Sequence, residues 1–549
     1  MLALVVWLYS PAWNGHFIFD DLALPFCNPV RHGPLSEWIS SAGVRPLLMV
    51  SYWLNYQISG DAPFGYHFAN LLIHFVNTGL VFLVLLRILR KAAWPERKSR
   101  IASLLGALVF AIHPLQTESV SYVAGRSESL ASLFLLVAYV VFLYRREDAI
   151  SWRESALVLI LFGAAVCVKE NAVALAPILI LTDLFWPEPM SLRGLRRNWR
   201  LYSLMIPGAI AATVAVFRLL ATAGTAGFSV TTFKWYQYAF TEARAIFIYI
   251  RMAVWPTGLS IDHDFAPSHT ILQHGAIGWM MLLAALVALA LLVRRRLPLF
   301  CFGLLMFLLW LAPTSSIVPL DDALVDRRMY LPLMGLILIG CELGKRVKLP
   351  LAASVASLCL FVMIFGKLCY DRNRLWGEPD QLMAMAAADA VYNPRPLLNF
   401  AEILVETNQC SAAPPYLVRA ERILPNNYYV NVTWGRTLAC LGDSKQAVKR
   451  FEVAASLKPC SQVYQWLGLA YAEVGNPPAA GEALKKAVEL DPRSGTAHGS
   501  LGLWFEKNHD LANAEKEYRI AALLDRDDSW AHQGWMRTRQ REHRTVSSF

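Results

Sequence analysis

The stretch HFIFDDLALPF, from His16 to Phe26, places two adjacent carboxylates, Asp20 and Asp21, inside an apolar and aromatic run close to the start of the chain. One Asp there is readily explained as a helix-end cap or ordinary loop polarity. Two call for more. A carboxylate at a partly desolvated interface has its pKa raised, and can then take the proton of a hydroxyl as a general base. The other polar residues of interest are cations scattered through equally apolar surroundings: Arg45, Arg126, Lys169, Arg327 and Arg328, with His113 and Glu118 nearby. A few cations facing a pair of acids suit a reaction in which a base activates one group while an anion leaves.

Something must hold these residues on one surface. The chain has 549 residues, 56% apolar and 17% charged, with a mean hydropathy of +0.38. An ordinary soluble protein is roughly a quarter charged. The deficit is concentrated before residue 370, where apolar runs recur. Helices of about 20 apolar residues cross a bilayer, so the first two thirds reads as a polytopic membrane domain, 1–372. The polar remainder, 380–549, reads as a second, soluble-looking domain.

The patterning predicts eleven spans: 1–12, 66–86, 101–113, 128–145, 154–168, 171–186, 201–220, 275–293, 298–313, 329–344 and 350–368. The segment 243–256, ARAIFIYIRMAVWP, carries Arg244 and Arg251, which are costly on a lipid-facing span, and is expected to lie along the outer surface or re-enter. With that choice every basic cluster falls on the cytoplasmic side: 87–100, Arg145, Arg146 and Arg153, 193–200, Arg294–Arg296 and 345–348. The net charge of +10 is therefore a topology signal, and it argues against nucleic-acid binding. The chain starts inside and ends outside. Asp20, Asp21, the segment 113–129, CVKEN (167–171) and DDALVDRRMYLP (321–332) all land on the outer face.

Each outer-face cation has two readings. Arg126 opens a helix, whose N-terminus favours an anion, so it suits a phosphate; pairing with Glu118 or Glu128 is the alternative. Lys169 is followed by Glu170, a ready ion-pair partner. Arg327 and Arg328 have Asp321, Asp322 and Asp326 close in sequence. Arg45 before Pro46 can snorkel at the interface. His113 before Pro114 suits a satisfied polar residue at a helix end. Glu118 can pair with a cation or bind an acceptor. His67, Asn70, His74 and Asn77 share one helix face and are expected to bond between helices. The nine cysteines lack zinc-ligand spacing; two of Cys410, Cys440 and Cys460 could form a disulfide in an oxidising compartment, and the spacing leaves the pairing open.

After residue 380 a period appears. Ala413, Leu417, Ala420 and Pro425 recur as Ala447, Phe451, Ala454 and Pro459, then as Ala480, Leu484, Ala487 and Pro492, then as Ala514, Tyr518 and Ala521. Leu467, Gly468 and Tyr471 supply part of the tetratricopeptide pattern, and Leu501, Gly502 and Phe505 repeat it. About four such repeats predict an α-solenoid whose concave face holds an extended peptide or partner helix. The fold class is thus all-α throughout.

The ordered set FIFDD, RPLLMVSYWLNY (45–56), PFGYHFANLLIH (63–74), HPLQTESVSYVAGRSE (113–128), KEN (169–171) and DRRMYLP (326–332), with the repeats last, closely resembles the transmembrane and tetratricopeptide-repeat-containing O-mannosyltransferases. The resemblance covers essentially the whole chain, with one departure: the repeat array is short. It implies a membrane glycosyltransferase of the GT-C fold that takes a sugar, mannose in these relatives, from a polyprenyl-phosphate donor. The acceptor is a Ser or Thr hydroxyl of a protein presented by the repeats. By the same resemblance Asp20 is the general base and Asp21 its partner, with the two roles exchangeable. Arg126, Arg327, Arg328, Lys169, His113, Arg45 and Glu118 are candidates for the donor phosphate or substrate. No dense carboxylate cluster calls for a metal, although some GT-C enzymes use one, and no other cofactor is indicated. An envelope lipid or glycan is the alternative acceptor, and a transporter or scaffold with recruiting repeats is the non-enzymatic alternative. Compact loops and a C-terminus reading RTVSSF, without a KDEL-like signal, favour a bacterial inner membrane with periplasmic repeats; in a eukaryotic cell the repeats would occupy the ER lumen.

Overall fold

The computed structural model describes residues 2–27, 34–41, 45–146, 148–186, 190–208, 234–348, 350–524 and 529–546. Among these the regular elements are all helices. They form two compact units, one built from residues before 25 and from Pro34 to Pro379, the other beginning at Asp380 and including the short turn Pro25–Cys27.

In the first unit four helices are long and apolar enough to cross a membrane: Pro63–Lys91, Arg126–Leu143, Gln273–Val293 and Ala352–Gly377. Glu96–Ile112 and Pro114–Ser121, bent by 55°, would make a fifth. The sequence led to an expectation of eleven. Other expected spans are helices of only 13 to 15 residues, such as Trp152–Val166, Pro298–Leu311 and Pro332–Gly344, or 11, Leu175–Phe185. At 1.5 Å per residue these rise only about 16–22 Å, short of a hydrocarbon core of about 30 Å. The second half of the expected span 201–220 lies outside the described residues. The helix Trp235–Val254 carries Glu242, Arg244 and Arg251 and is not apolar enough to cross.

Local chemistry sets the breaks. Pro114 lacks an N–H and forces His113 out of the helical region (φ −70°, ψ 128°), which ends Glu96–Ile112 and turns the chain into the corner bearing Glu118, Tyr122 and Arg126. Ser151 and Glu154 form a reciprocal cap that starts Trp152–Val166. Pro298–Leu311 and Pro332–Gly344 approach so closely that a Cβ on Gly303 would sit 2.5 Å from the Gly335 carbonyl oxygen. Only glycine fits at such a crossing.

Two kinds of loop segregate to opposite ends of the helices. At one end the basic segments meet: Lys345 lies over the Trp94 ring at 5.3 Å, and Arg346 donates to the Arg296 carbonyl at 3.2 Å. Arg90 pairs there with Glu96. At the other end the segments around residues 20, 45, 113–126, 167–171 and 326–330 converge.

The second unit repeats a helical hairpin every 33–34 residues, with first helices starting at Pro394, Tyr428, Ser461, Gly495 and Ser529. Asn427, Asp443, Asn476 and Ser494 each cap a helix of the array by accepting a backbone N–H bond. The small positions seen in the sequence are contact points: a Cβ on Gly435 would lie 2.5 Å from the Phe451 ring. Cys410 and Cys440 are joined in a disulfide across 30 residues, with Cα atoms 6.1 Å apart, while the Cys460 thiol meets the Tyr428 hydroxyl at 3.2 Å. A loop of this length constrains the unfolded chain by about 3–4 kcal/mol. Reduction of the folded protein is therefore expected to lower the melting temperature of the repeat unit, and Cys460→Ser to leave it unchanged; calorimetry with and without reductant checks both.

Candidate active site

The acidic pair sits on a single turn of 3₁₀ helix, Phe19–Ala23. Phe19 adopts φ +50°, unusual for a residue with a side chain and a sign that the surroundings hold this turn. The holding contacts are visible. Asp21 is buried, and its carboxylate accepts the Ala124 N–H at 2.7 Å and the Ile18 N–H at 3.3 Å. The Asp20 N–H donates to the Tyr122 hydroxyl at 3.0 Å. The Asp20 side chain itself is exposed. Burial pushes the Asp21 carboxyl up to about 7, despite its two backbone donors. The two acids have thus been given different work by position: Asp21 pins the 122–125 corner to the first loop, and Asp20 is presented outward.

The corner's ring continues the framework. Tyr122 stacks on Trp376, with centroids 5.7 Å apart and planes 19° from parallel. Ser121 donates to the Asn373 side-chain oxygen at 2.5 Å, and Asn373 donates to the Leu8 carbonyl at 3.0 Å. The first and last helices of this unit therefore both position the loop that bears Asp20.

Most of the expected cations have partners other than their sequence neighbours. Arg45 makes a two-pronged bond to Glu170, at 2.6 and 3.0 Å. That leaves Lys169 to Glu128, which also accepts from Asn171 at 3.1 Å. Glu118 receives the Arg327 guanidinium at 2.5 Å and the Arg327 N–H at 2.8 Å. Arg328 reaches the carbonyls of Ala323 and Asp322 and lies 3.7 Å from Glu242. Asp326, offered by the sequence as a partner for these arginines, instead holds His263 at 2.7 Å. Burial works against the His263 cation, but Asp326 outweighs it and raises the imidazole above its ordinary value. The field of Asp20 is felt at both Arg45 and Arg327, so the exposed acid and these pairs share one neighbourhood.

Two of the expected substrate residues are enclosed by contacts within the fold. Arg126 is 1% exposed and enclosed: it donates to Asn70 at 2.6 Å, Asn55 at 2.7 Å, the Tyr66 carbonyl at 3.1 Å and the Ser51 carbonyl at 3.3 Å. Its guanidinium carbon also sits 4.6 Å above the Tyr52 ring. The alternative partners Glu118 and Glu128 are not its contacts; it ties the corner to the helices Pro46–Ser59 and Pro63–Lys91. His113 uses both ring nitrogens, one meeting the Ala253 carbonyl at 3.0 Å and the other accepting the Leu115 N–H at 3.2 Å. It caps the turn that Pro114 begins. The polar face of Pro63–Lys91 bonds between helices as expected, His74 and Asn77 meeting the Tyr330 hydroxyl at 2.8 and 3.1 Å.

Sequence reasoning passed over Tyr122, Glu242, His263, Arg372 and Asn373. The signal for the last two was available: YDRNRLW (370–376) puts polar residues at the end of the last apolar run, where they read as the end of a span. Among the described residues no three His, Cys, Asp or Glu side chains gather in a way that could hold a metal ion.

Known proteins similar to this chain include human protein O-mannosyl-transferase TMTC3, 23% identical over 603 residues, which cover 94% of this chain and 63% of that protein. Drosophila melanogaster protein O-mannosyl-transferase Tmtc1 is 29% identical over 295 residues, 47% of this chain and 33% of the relative. The chain therefore spans less than two thirds of the length of these relatives. A solved structure of a thermophilic TPR protein from Thermus thermophilus covers 33% of this chain and 95% of its own, with 17% identity and a TM-score of 0.28. No protein-family model matches the chain. Over nearly its whole length, then, the chain is similar to proteins named protein O-mannosyl-transferases, the resemblance already carried by its motifs.

Proposed function

We propose that this chain is a membrane glycosyltransferase of GT-C architecture. It moves a sugar, mannose by analogy with its relatives, from a polyprenyl-phosphate donor to Ser or Thr hydroxyls of proteins held by the repeats. The observation that carries the reading is the exposed Asp20 carboxylate, fixed by a strained turn beside a set of ion-paired cations. The acceptor oxygen attacks the anomeric carbon as its proton passes to Asp20. The bond from that carbon to the phosphate oxygen breaks on the opposite face, the polyprenyl phosphate departs, and the configuration inverts. Positive charge stabilises the departing phosphate. Arg45 and Arg327 suit this, since their side chains remain 37% and 25% exposed within their ion pairs. Lys169 and Arg328 stand behind them, more deeply held.

In this reading residues 1–372 form the catalytic domain and 380–549 the acceptor-presenting repeats. The short apolar helices complete eleven crossings, packed within the bundle where neighbours satisfy their ends. The basic end faces the cytoplasm and the Asp20 end and the repeats face outward. The disulfide in the repeat unit supports an oxidising compartment, the periplasm of a bacterium or the lumen of the ER.

The test is transfer by the purified full-length protein. Radiolabelled polyprenyl-phosphate mannose and a panel of other polyprenyl-phosphate sugars are offered with protein and glycolipid acceptors. Label entering protein, releasable from Ser or Thr by base-catalysed elimination, is the expected result. Label entering only glycolipid would move the reading to an envelope acceptor, and no transfer from any donor would leave a scaffold.

A further inference from the structure

Three buried N–H groups near the candidate base have no acceptor among the described residues: Nε and one Nη2 of Arg372, and Nε1 of Trp376. Arg372 is 7% exposed and Trp376 2%. They lie four residues apart on one face of the helix Leu351–Gly377, with the guanidinium carbon 5.8 Å from the indole centroid. Trp376 is the ring on which Tyr122 stacks, and Tyr122 holds Asp20. The indole is thus one aromatic ring away from the acid, and the guanidinium lies next to the indole.

The carboxylates that could neutralise Arg372 are already committed. Glu118 and Asp326 lie within its electrostatic reach, but Glu118 is taken by Arg327 and Asp326 by His263. Proteins rarely leave buried donors unmatched, and a guanidinium fork matches two oxygens of a phosphate. Arg45, Lys169, Arg327 and Arg328 each have a carboxylate partner in the fold, whereas Arg372 Nε and Nη2 are buried without an acceptor among the described residues.

Building on the lipid-phosphate donor of the reading above, we infer that Arg372, with Trp376 Nε1–H beside it, binds the phosphate oxygens of the polyprenyl-phosphate. Arg45 and Arg327 then act as flanking charges, and the anion's principal anchor is a residue on the last helix of the membrane unit.

The experiment measures binding of radiolabelled undecaprenyl phosphate, undecaprenol and inorganic phosphate to the full chain in nanodiscs. Wild type is expected to prefer the lipid phosphate to both others. Arg372→Gln should lower affinity for undecaprenyl phosphate by about tenfold or more, the loss of a charged hydrogen bond, and leave undecaprenol binding unchanged. Trp376→Phe, which keeps the ring and removes the donor, should lower it by several-fold. Wild-type affinity for the lipid phosphate in a folded Arg372→Gln protein overturns the inference; if that variant does not fold, wild-type affinity in Trp376→Phe overturns it. If wild type binds undecaprenol as well as the phosphate, the donor reading itself falls and this site with it. Inorganic phosphate binding as tightly as the lipid would reassign the guanidinium to a free anion and overturn the lipid assignment.

Discussion

Asp20→Asn is expected to lower kcat for sugar transfer by about 10²–10⁴-fold, the usual contribution of a positioned general base, with little change in melting temperature. The reason is local. Asp20 is held through its backbone N–H, which bonds Tyr122, while its exposed carboxylate accepts no hydrogen bond among the described residues. Removing its charge therefore costs the fold almost nothing and the reaction a great deal. Asp21→Asn should behave in the opposite way. Its buried oxygens receive Ala124 and Ile18, so the substitution disturbs the corner and lowers stability before it touches chemistry. Transfer rates and thermal melts of the two variants, side by side, separate the roles. Undiminished incorporation by Asp20→Asn would reject it as the base, and Asp21 would then be the remaining acid on the turn.

Arg126→Met is expected to cost about 4 kcal/mol or more, enough to prevent accumulation of folded protein. Three buried acceptors, on Asn70, Asn55 and Tyr66, and a partly buried one on Ser51 lose a charged donor at once, and each such loss is worth about 1–3 kcal/mol. The Tyr52 ring loses the cation above it as well. Arg126→Lys should recover part of the stability, because an ammonium can satisfy some acceptors but cannot span them all. Thermal unfolding decides the matter against the alternative suggested by its place at a helix start. A phosphate-binding Arg126 would raise KM for the lipid-linked sugar and leave the melting temperature where it was.

What the sequence made legible follows from the range of each interaction. The apolar runs and the 33–34-residue period are local patterns, and the helices and hairpins appear where those patterns lie. The acid pair was legible because a carboxylate in an apolar run is costly wherever it folds. Partners were not. Lys169 and Glu170 are adjacent, yet they bond to Glu128 and Arg45, since neighbouring residues point away from one another at a turn. Glu118 and Arg327 are 209 residues apart, and no spacing rule reaches that far. Hydropathy records how apolar a segment is and not whether it crosses: the expected spans 154–168, 171–186, 298–313 and 329–344 appear as the apolar helices Trp152–Val166, Leu175–Phe185, Pro298–Leu311 and Pro332–Gly344, each short of a hydrocarbon core.

The meeting of Leu8 with Asn373 and of Trp7 with Tyr370 has a consequence for how the protein is made. The hydrogen bond closes over 365 residues, so Asn373, which also holds Ser121 beside the corner, joins this framework only once almost the entire membrane unit has left the ribosome. The bonds from the acid turn to Tyr122 and Ala124 can form much earlier. At about 5–20 residues per second the opening segment waits roughly 20–70 s for its counterpart. The final support of the 121–122 corner is thereby coupled to completion of the membrane unit.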